Sequence, residues 1–326
     1  MLLNMVLIVV GFVLLIGSAD RLVDAASDIA ARFGISDRIV GLTIVAIGTS
    51  LPELMVGITS ANEGHVDMAL GNVAGSCLAN LLLILGITAI ITPVVLSKNT
   101  RRFDIPVSIA ATGVLLLFAN TGEGLSAWEG FVLTALFALF IIHAVVQGMR
   151  DDADASATEP GVGDKAGVDE DVEAGPKRGM VTNILMLFVC SFVLKVAADL
   201  VVDGAVAIAQ AFGLSEHVIG VTVVAIGTCL PELVTAVMAA ARGNTDIAVG
   251  NVVGSNISNL LLVPGVTAMI SPMAYDAAFN VEFLLIMACS ALLLVFAKVG
   301  ERQTMTRFNG ACYVALCAAY LATMMM

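Results

Sequence analysis

Ten apolar runs separated by short polar breaks organise this chain. They fall near residues 3–26, 37–60, 67–92, 104–120, 125–148, 181–206, 217–241, 246–271, 279–298 and 306–325. Each has the roughly 17–25 residues that a helix needs to cross the hydrocarbon of a bilayer. Within a bilayer a single segment satisfies all its own backbone groups only as a helix. The pattern therefore predicts an all-α polytopic membrane protein with ten transmembrane helices. The first run has no Lys or Arg before it and no A-x-A pattern after it, so it reads as a span rather than a signal peptide.

The polar residues between the runs set the expected orientation. Arg32, Arg38, Lys98, Arg101, Arg102, Arg150, Lys165, Lys177, Arg178, Arg242, Lys298, Arg302 and Arg307 all follow odd-numbered spans, and the alternate loops hold no Lys or Arg. Basic loops stay cytoplasmic, so both termini are expected outside in a multi-pass protein of the cell membrane. Residues 149–179 are acidic and rich in Gly, Ala and Pro, which predicts a flexible cytoplasmic linker between halves 1–148 and 180–326.

Composition sharpens this picture. Of 326 residues only 13% are charged, against about 25% in a soluble domain, and 59% are hydrophobic. That balance excludes an ordinary soluble enzyme. The net charge of −12 argues against nucleic acid as a partner. The six cysteines lie inside apolar runs and form neither a disulfide framework nor a metal-binding CxxC.

An internal repeat carries the functional information. Gly41–Gly86 aligns without gaps on Gly220–Gly265 with 25 identities in 46 positions, and upstream Asp20, Asp24 and Gly34 match Asp199, Asp203 and Gly213. Five spans precede the linker, so the second copy enters the membrane from the opposite face. Inverted repeats of this kind build secondary transporters, with the substrate site near the midplane where the copies meet.

Each copy contains G-T-x-L-P-E, at Gly48–Glu53 and Gly227–Glu232. Pro52 and Pro231 lack a backbone N–H and clash with the carbonyls of Gly48 and Gly227, which predicts broken helices in spans 2 and 7. Carbonyls freed inside a membrane need protein, water or an ion as partner. Glu53 and Glu232 follow directly, and a carboxylate at that depth costs several kcal/mol and signals function. A second element, G-N-V-x-G-S-x-x-x-N, supplies Gly71, Asn72, Gly75, Ser76 and Asn80, repeated as Gly250, Asn251, Gly254, Ser255 and Asn259. The glycines lie four apart and permit close approach to the broken helix. Carboxylate, hydroxyl, amide and carbonyl oxygens together suit a hard cation such as Ca²⁺. No nucleophile–base pair or H-E-x-x-H motif supports an enzyme.

With these duplicated motifs the sequence resembles the cation/calcium antiporter superfamily, the sodium/calcium exchangers and their bacterial and archaeal relatives, over nearly its whole length. The resemblance implies an antiporter for inorganic cations that exchanges Ca²⁺ for Na⁺, or alternatively for H⁺, with no cofactor and no required oligomer. It implies that Glu53 and Glu232 are central ligands, completed by Thr49, Ser50, Ser76, Asn80, Thr228, Ser255, Asn259 and the carbonyls of Ala46 and Ala225. Metal contact is assigned chiefly to Glu53, Glu232, Thr49 and Thr228. Cys229 stands where the motif has Ser, and sulfur is a poor ligand for these ions. Asn259 occupies a position that is Asp in some members, which leaves two carboxylates. Spans 1 and 6 are expected to move during transport.

Overall fold

The computed structural model describes residues 1–122, 124–157, 179–213, 225–299 and 303–324. Long helices dominate these residues. In chain order they are α1 (Leu2–Phe33), α2 (Asp37–Thr49), α3 (Leu51–Asn62), α4 (Val66–Ile91), α5 (Thr100–Asn120), α6 (Ala127–Ala157), α7 (Met180–Ala211), α8 (Ala225–Thr228), α9 (Leu230–Ala241), α10 (Thr245–Ile270), α11 (Ala277–Lys298) and α12 (Arg307–Met324). Seven are long and apolar enough to cross a membrane, and the bent pair α2–α3 makes an eighth. The shorter α9 and the less apolar α12 occupy the places of the seventh and tenth expected spans, consistent with ten crossings.

The helix ends differ from the apolar runs in instructive ways. α1 continues past residue 26 through Asp28 and Arg32, because a helix does not stop where the membrane does. It stops at Gly34, whose left-handed φ of 60° lets its N–H return to the carbonyl of Ala30. The repeat-matched Gly213, at φ 77°, follows α7 after Phe212, and its N–H returns to the carbonyl of Gln210. α6 runs on to Ala157, into the expected linker. The rest of that linker, and residues 217–224 of the seventh expected span, lie outside the described residues.

α4 and α10 form the centre. Two-thirds or more of the most apolar stretch of each is buried, against 22–39% for α1, α5, α6, α7 and α11. A helix buried on all sides cannot show a clean amphipathic stripe, so both read as uniformly apolar. Around this centre the same contact occurs twice. Val94–Val95 (β1) pairs antiparallel with Thr304–Met305 (β4), and Gly124–Leu125 (β2) pairs with Met273–Ala274 (β3). Likewise α4 crosses α12 backbone to backbone at Gly86 and Gly310, while α10 crosses α6 at Gly265 and Gly130. The last helix of each half thus docks on the other half, and the halves are intertwined.

Close approach is most pronounced where α2 lies on α10. A methyl group on Gly254 would sit 2.5 Å from the carbonyl oxygen of Leu42, and one on Gly250 would sit 2.7 Å from that of Arg38. Both clashes are with backbone, which has little room to retreat. Gly254→Ala is therefore expected to cost about 1–3 kcal/mol by overpacking, read as a lower melting temperature in detergent. An unchanged melting temperature would show that the two helices separate freely.

Arg38 also makes the deepest ion pair among the described residues. Its Nη1 donates to Asp104 Oδ2 at 2.7 Å, with the two residues 4% and 0% exposed. This pair fixes the start of α2 to the start of α5.

Candidate cation site

Both expected helix breaks are present. α2 and α3 meet at Ser50 with a bend of 41°, and α8 gives way to α9 at Cys229. Ser50 and Cys229 have nearly the same non-helical geometry, φ −87°, ψ 1° and φ −93°, ψ 3°. Each proline sits in the first turn of the new helix, where its missing N–H costs nothing. Each glutamate follows within that first turn, close to the positive end of the helix dipole.

The breaks aim both carboxylates into the protein. Glu53 and Glu232 are 3% and 2% exposed; Glu232 feels the charge of Glu53, and Glu53 that of Lys195 on α7. Cys229, at the second break, feels both glutamates. Thr49 Oγ1 spans the two halves, lying 3.2 Å from Asn251 Oδ1 and 3.3 Å from Ser255 Oγ. Asn80 Nδ2 donates to Asn256 Oδ1 at 3.0 Å, and Asn256 Nδ2 donates to the carbonyl of Cys77 at 3.3 Å. Thus Glu53, Thr49, Ser76 and Asn80 from one repeat meet Glu232, Cys229, Asn251, Ser255 and Asn256 from the other in one cluster, while the expected ligands Ser50 and Asn259 are buried.

Several buried oxygens of the expected ligands have no hydrogen-bond partner among the described residues: Glu53 Oε2, both Oε atoms of Glu232, Ser50 Oγ, Asn80 Oδ1 and Asn259 Oδ1. An unpaired buried carboxylate is costly, and every one of these atoms is a hard donor. The set fits a cation that takes about 6–8 oxygen ligands. Among the described residues, no group of three or more His, Cys, Asp and Glu assembles. The cluster therefore holds two carboxylates in an otherwise neutral oxygen lining.

The two halves are not equivalent. Thr49 is buried, whereas its repeat partner Thr228 is exposed; the Thr228 hydroxyl lies 3.9 Å from Cys229 Sγ. The carbonyl of Ala46 accepts the Ser50 N–H at 3.0 Å and faces the Thr49 hydroxyl at 3.3 Å, so it is engaged rather than freed by the break. Ala225 opens α8. The close approach to the broken helix expected of all four motif glycines is seen at Gly250 and Gly254; Gly71 instead faces the Phe279 ring, 3.7 Å from where a methyl would sit, and Gly75 meets nothing within 4 Å among the described residues.

Two features lie outside the ligand set that the sequence implies. Asn251 and Asn256 contribute side chains to the cluster, beyond the expected ligands Asn80 and Asn259. Their position inside G-N-V-x-G-S-N was the available signal. The second feature left no signal. Asn80 lies in a π turn (Ala79–Ile84) and Asn259 in another (Ser258–Leu262). A single wide turn re-aims a side chain, and such turns gather at functional sites.

A helical bundle with broken spans around a buried oxygen cluster defines a membrane transporter. The family described as sodium/calcium exchanger protein matches residues 3–146 and 182–326, and the chain belongs to that family. The inner membrane protein YrbG of Escherichia coli is 36% identical over 292 residues, 87% of this chain and 86% of that one. The sodium/calcium exchanger MaX1 of Methanosarcina acetivorans is 28% identical over 98% of both chains. Among solved structures, the sodium–calcium exchanger NCX_Mj superposes with a TM-score of 0.81 at 29% identity, covering 98% of each chain.

Proposed function

We propose that this protein is a secondary active antiporter that exchanges Ca²⁺ for Na⁺ across the cell membrane by alternating access, with Glu53 and Glu232 as ligands shared by both cargoes. The observation that carries this reading is the pair of buried carboxylates with unpartnered oxygens in a neutral oxygen lining. Two negative charges balance one Ca²⁺ in a medium that penalises net charge. Thr49, Ser50, Ser76, Asn80, Ser255 and Asn259 complete the coordination, and Thr228 and the Ala46 and Ala225 carbonyls join it as each half closes, Ala46 once the Thr49 hydroxyl turns from its carbonyl to the cation. The empty site, with two desolvated carboxylates, crosses between states slowly. A cargo must therefore occupy it in both directions, and that couples the two fluxes. The halves 1–148 and 180–326 supply one break each, and the loops bearing Arg242 and the linker face the cytoplasm.

The counter-ion decides between Na⁺ and H⁺. In proteoliposomes, an outward Na⁺ gradient at equal pH is expected to drive ⁴⁵Ca²⁺ uptake, and a pH gradient without Na⁺ is not. Uptake driven by the pH gradient alone would assign H⁺ to the same glutamates.

A further inference from the structure

The repeat allows each contact on one side of the site to be compared with its counterpart on the other, and one pair differs sharply. On one side α1 packs along α9, on which Leu230 is 7% exposed and Val234 and Met238 are half-buried. The matching residues on α3 are Leu51, Met55 and Thr59. Leu51 is 40% and Met55 61% exposed, and α7 makes no comparable packing along α3 among the described residues. The molecule is closed on the α9 side and open on the α3 side.

Charge distinguishes the two sides in the same way. Arg242, just after α9, splits its guanidinium between two carboxylates of α1, with Nη2 donating to Asp20 and Nη1 to Asp24. In the repeat, Asp20 and Asp24 correspond to Asp199 and Asp203, so the acids are present on both sides. Arg242, however, corresponds to Glu63. On the open side an acid stands where the closed side has its cation, and Asp199 pairs instead with Lys195 of its own helix.

We infer that Arg242, Asp20 and Asp24 form an ionic latch that holds α1 against α9 and biases the transporter toward the state open on the α3 side. Glu63 cannot form the mirror latch, because it repels Asp199 and Asp203. This inference rests on the alternating-access reading. The three side chains are 33%, 39% and 42% exposed. Solvent and salt therefore screen the latch, so it tilts the equilibrium and still opens in every cycle. A tilt of about five- to ten-fold matches an exposed, forked pair. With the expected orientation, the favoured state faces outward.

The test is a distance measurement in the full-length protein. Spin labels at Asn62→Cys and Phe212→Cys, both exposed sites at the open end, report the gap between α3 and α7. Five native cysteines are buried, and Cys312→Ser removes the half-buried sixth. In proteoliposomes without transported cations, the long distance should dominate. Arg242→Gln, similar in length and uncharged, should shift the long-to-short ratio about five-fold toward short. Glu63→Arg should do the same by creating a latch on the other side. The swap Arg242→Glu with Asp20→Arg and Asp24→Arg should restore the long distance. Unchanged distances in both Arg242→Gln and Glu63→Arg overturn the latch, whether or not ⁴⁵Ca²⁺ flux is altered. Shifted distances in a protein that shows no gradient-driven flux uphold the latch and reject the assigned cargo.

Discussion

Glu53→Gln and Glu232→Gln are each expected to reduce gradient-driven ⁴⁵Ca²⁺ uptake in everted vesicles to background. Glutamine keeps the shape and one oxygen but removes a full charge. The remaining glutamate then faces Ca²⁺ with one compensating charge missing in a site less than 4% exposed. Leaving a buried charge uncompensated costs about 3–5 kcal/mol, and each 1.4 kcal/mol is about tenfold. The expected loss is therefore at least about 100-fold for either variant. Both should fail equally, because each break contributes one carboxylate to one shared cluster. Uptake near the wild-type level in either variant would remove that glutamate from the site.

Asp104→Ala is expected to produce the largest loss of stability. Arg38 would keep its charge at 4% exposure with no carboxylate beside it. The same reasoning gives about 3–5 kcal/mol, read from thermal unfolding in detergent. The control is Arg38→Met with Asp104→Leu, which replaces the pair by apolar side chains of similar reach and should recover most of the loss. Equal destabilisation by the single and double variants would assign the effect to packing rather than charge. Because Arg38 opens α2, the single variant is also expected to slow transport: the ion pair holds the half-helix that carries Thr49 and Ser50.

These two predictions differ in how visible their residues were. Glu53 and Glu232 announce themselves, since a carboxylate after a proline deep in an apolar run has few structural reasons to exist, and here it occurs twice. Arg38 and Asp104 lie 66 positions apart in loop-flanking segments that read as ordinary span ends. Nothing local marks them as partners. Cys229 falls between these cases. Its identity was legible as a departure from the first repeat, but its proximity to both glutamates required the fold.

By itself, the sequence determined the class of molecule and the positions of the helix breaks, and it marked the oxygen-bearing residues proposed for the site. Those properties follow from local rules: an apolar run long enough to cross a bilayer, a proline that removes a donor, a glutamate that pays for burial only with a partner. The repeat added the inverted plan, because an odd number of spans reverses the second copy. The tertiary structure alone decided which oxygens converge, with Asn251 and Asn256 among them, and how the last helix of each half docks on the other half. It alone showed that one side is packed and the other open. Contacts of that kind depend on side chains some 200 residues apart, such as Thr49 with Ser255 and Arg242 with Asp20. Two repeats that share their motifs encode the same local structure, so only their packing reveals which of two mirrored arrangements the molecule adopts.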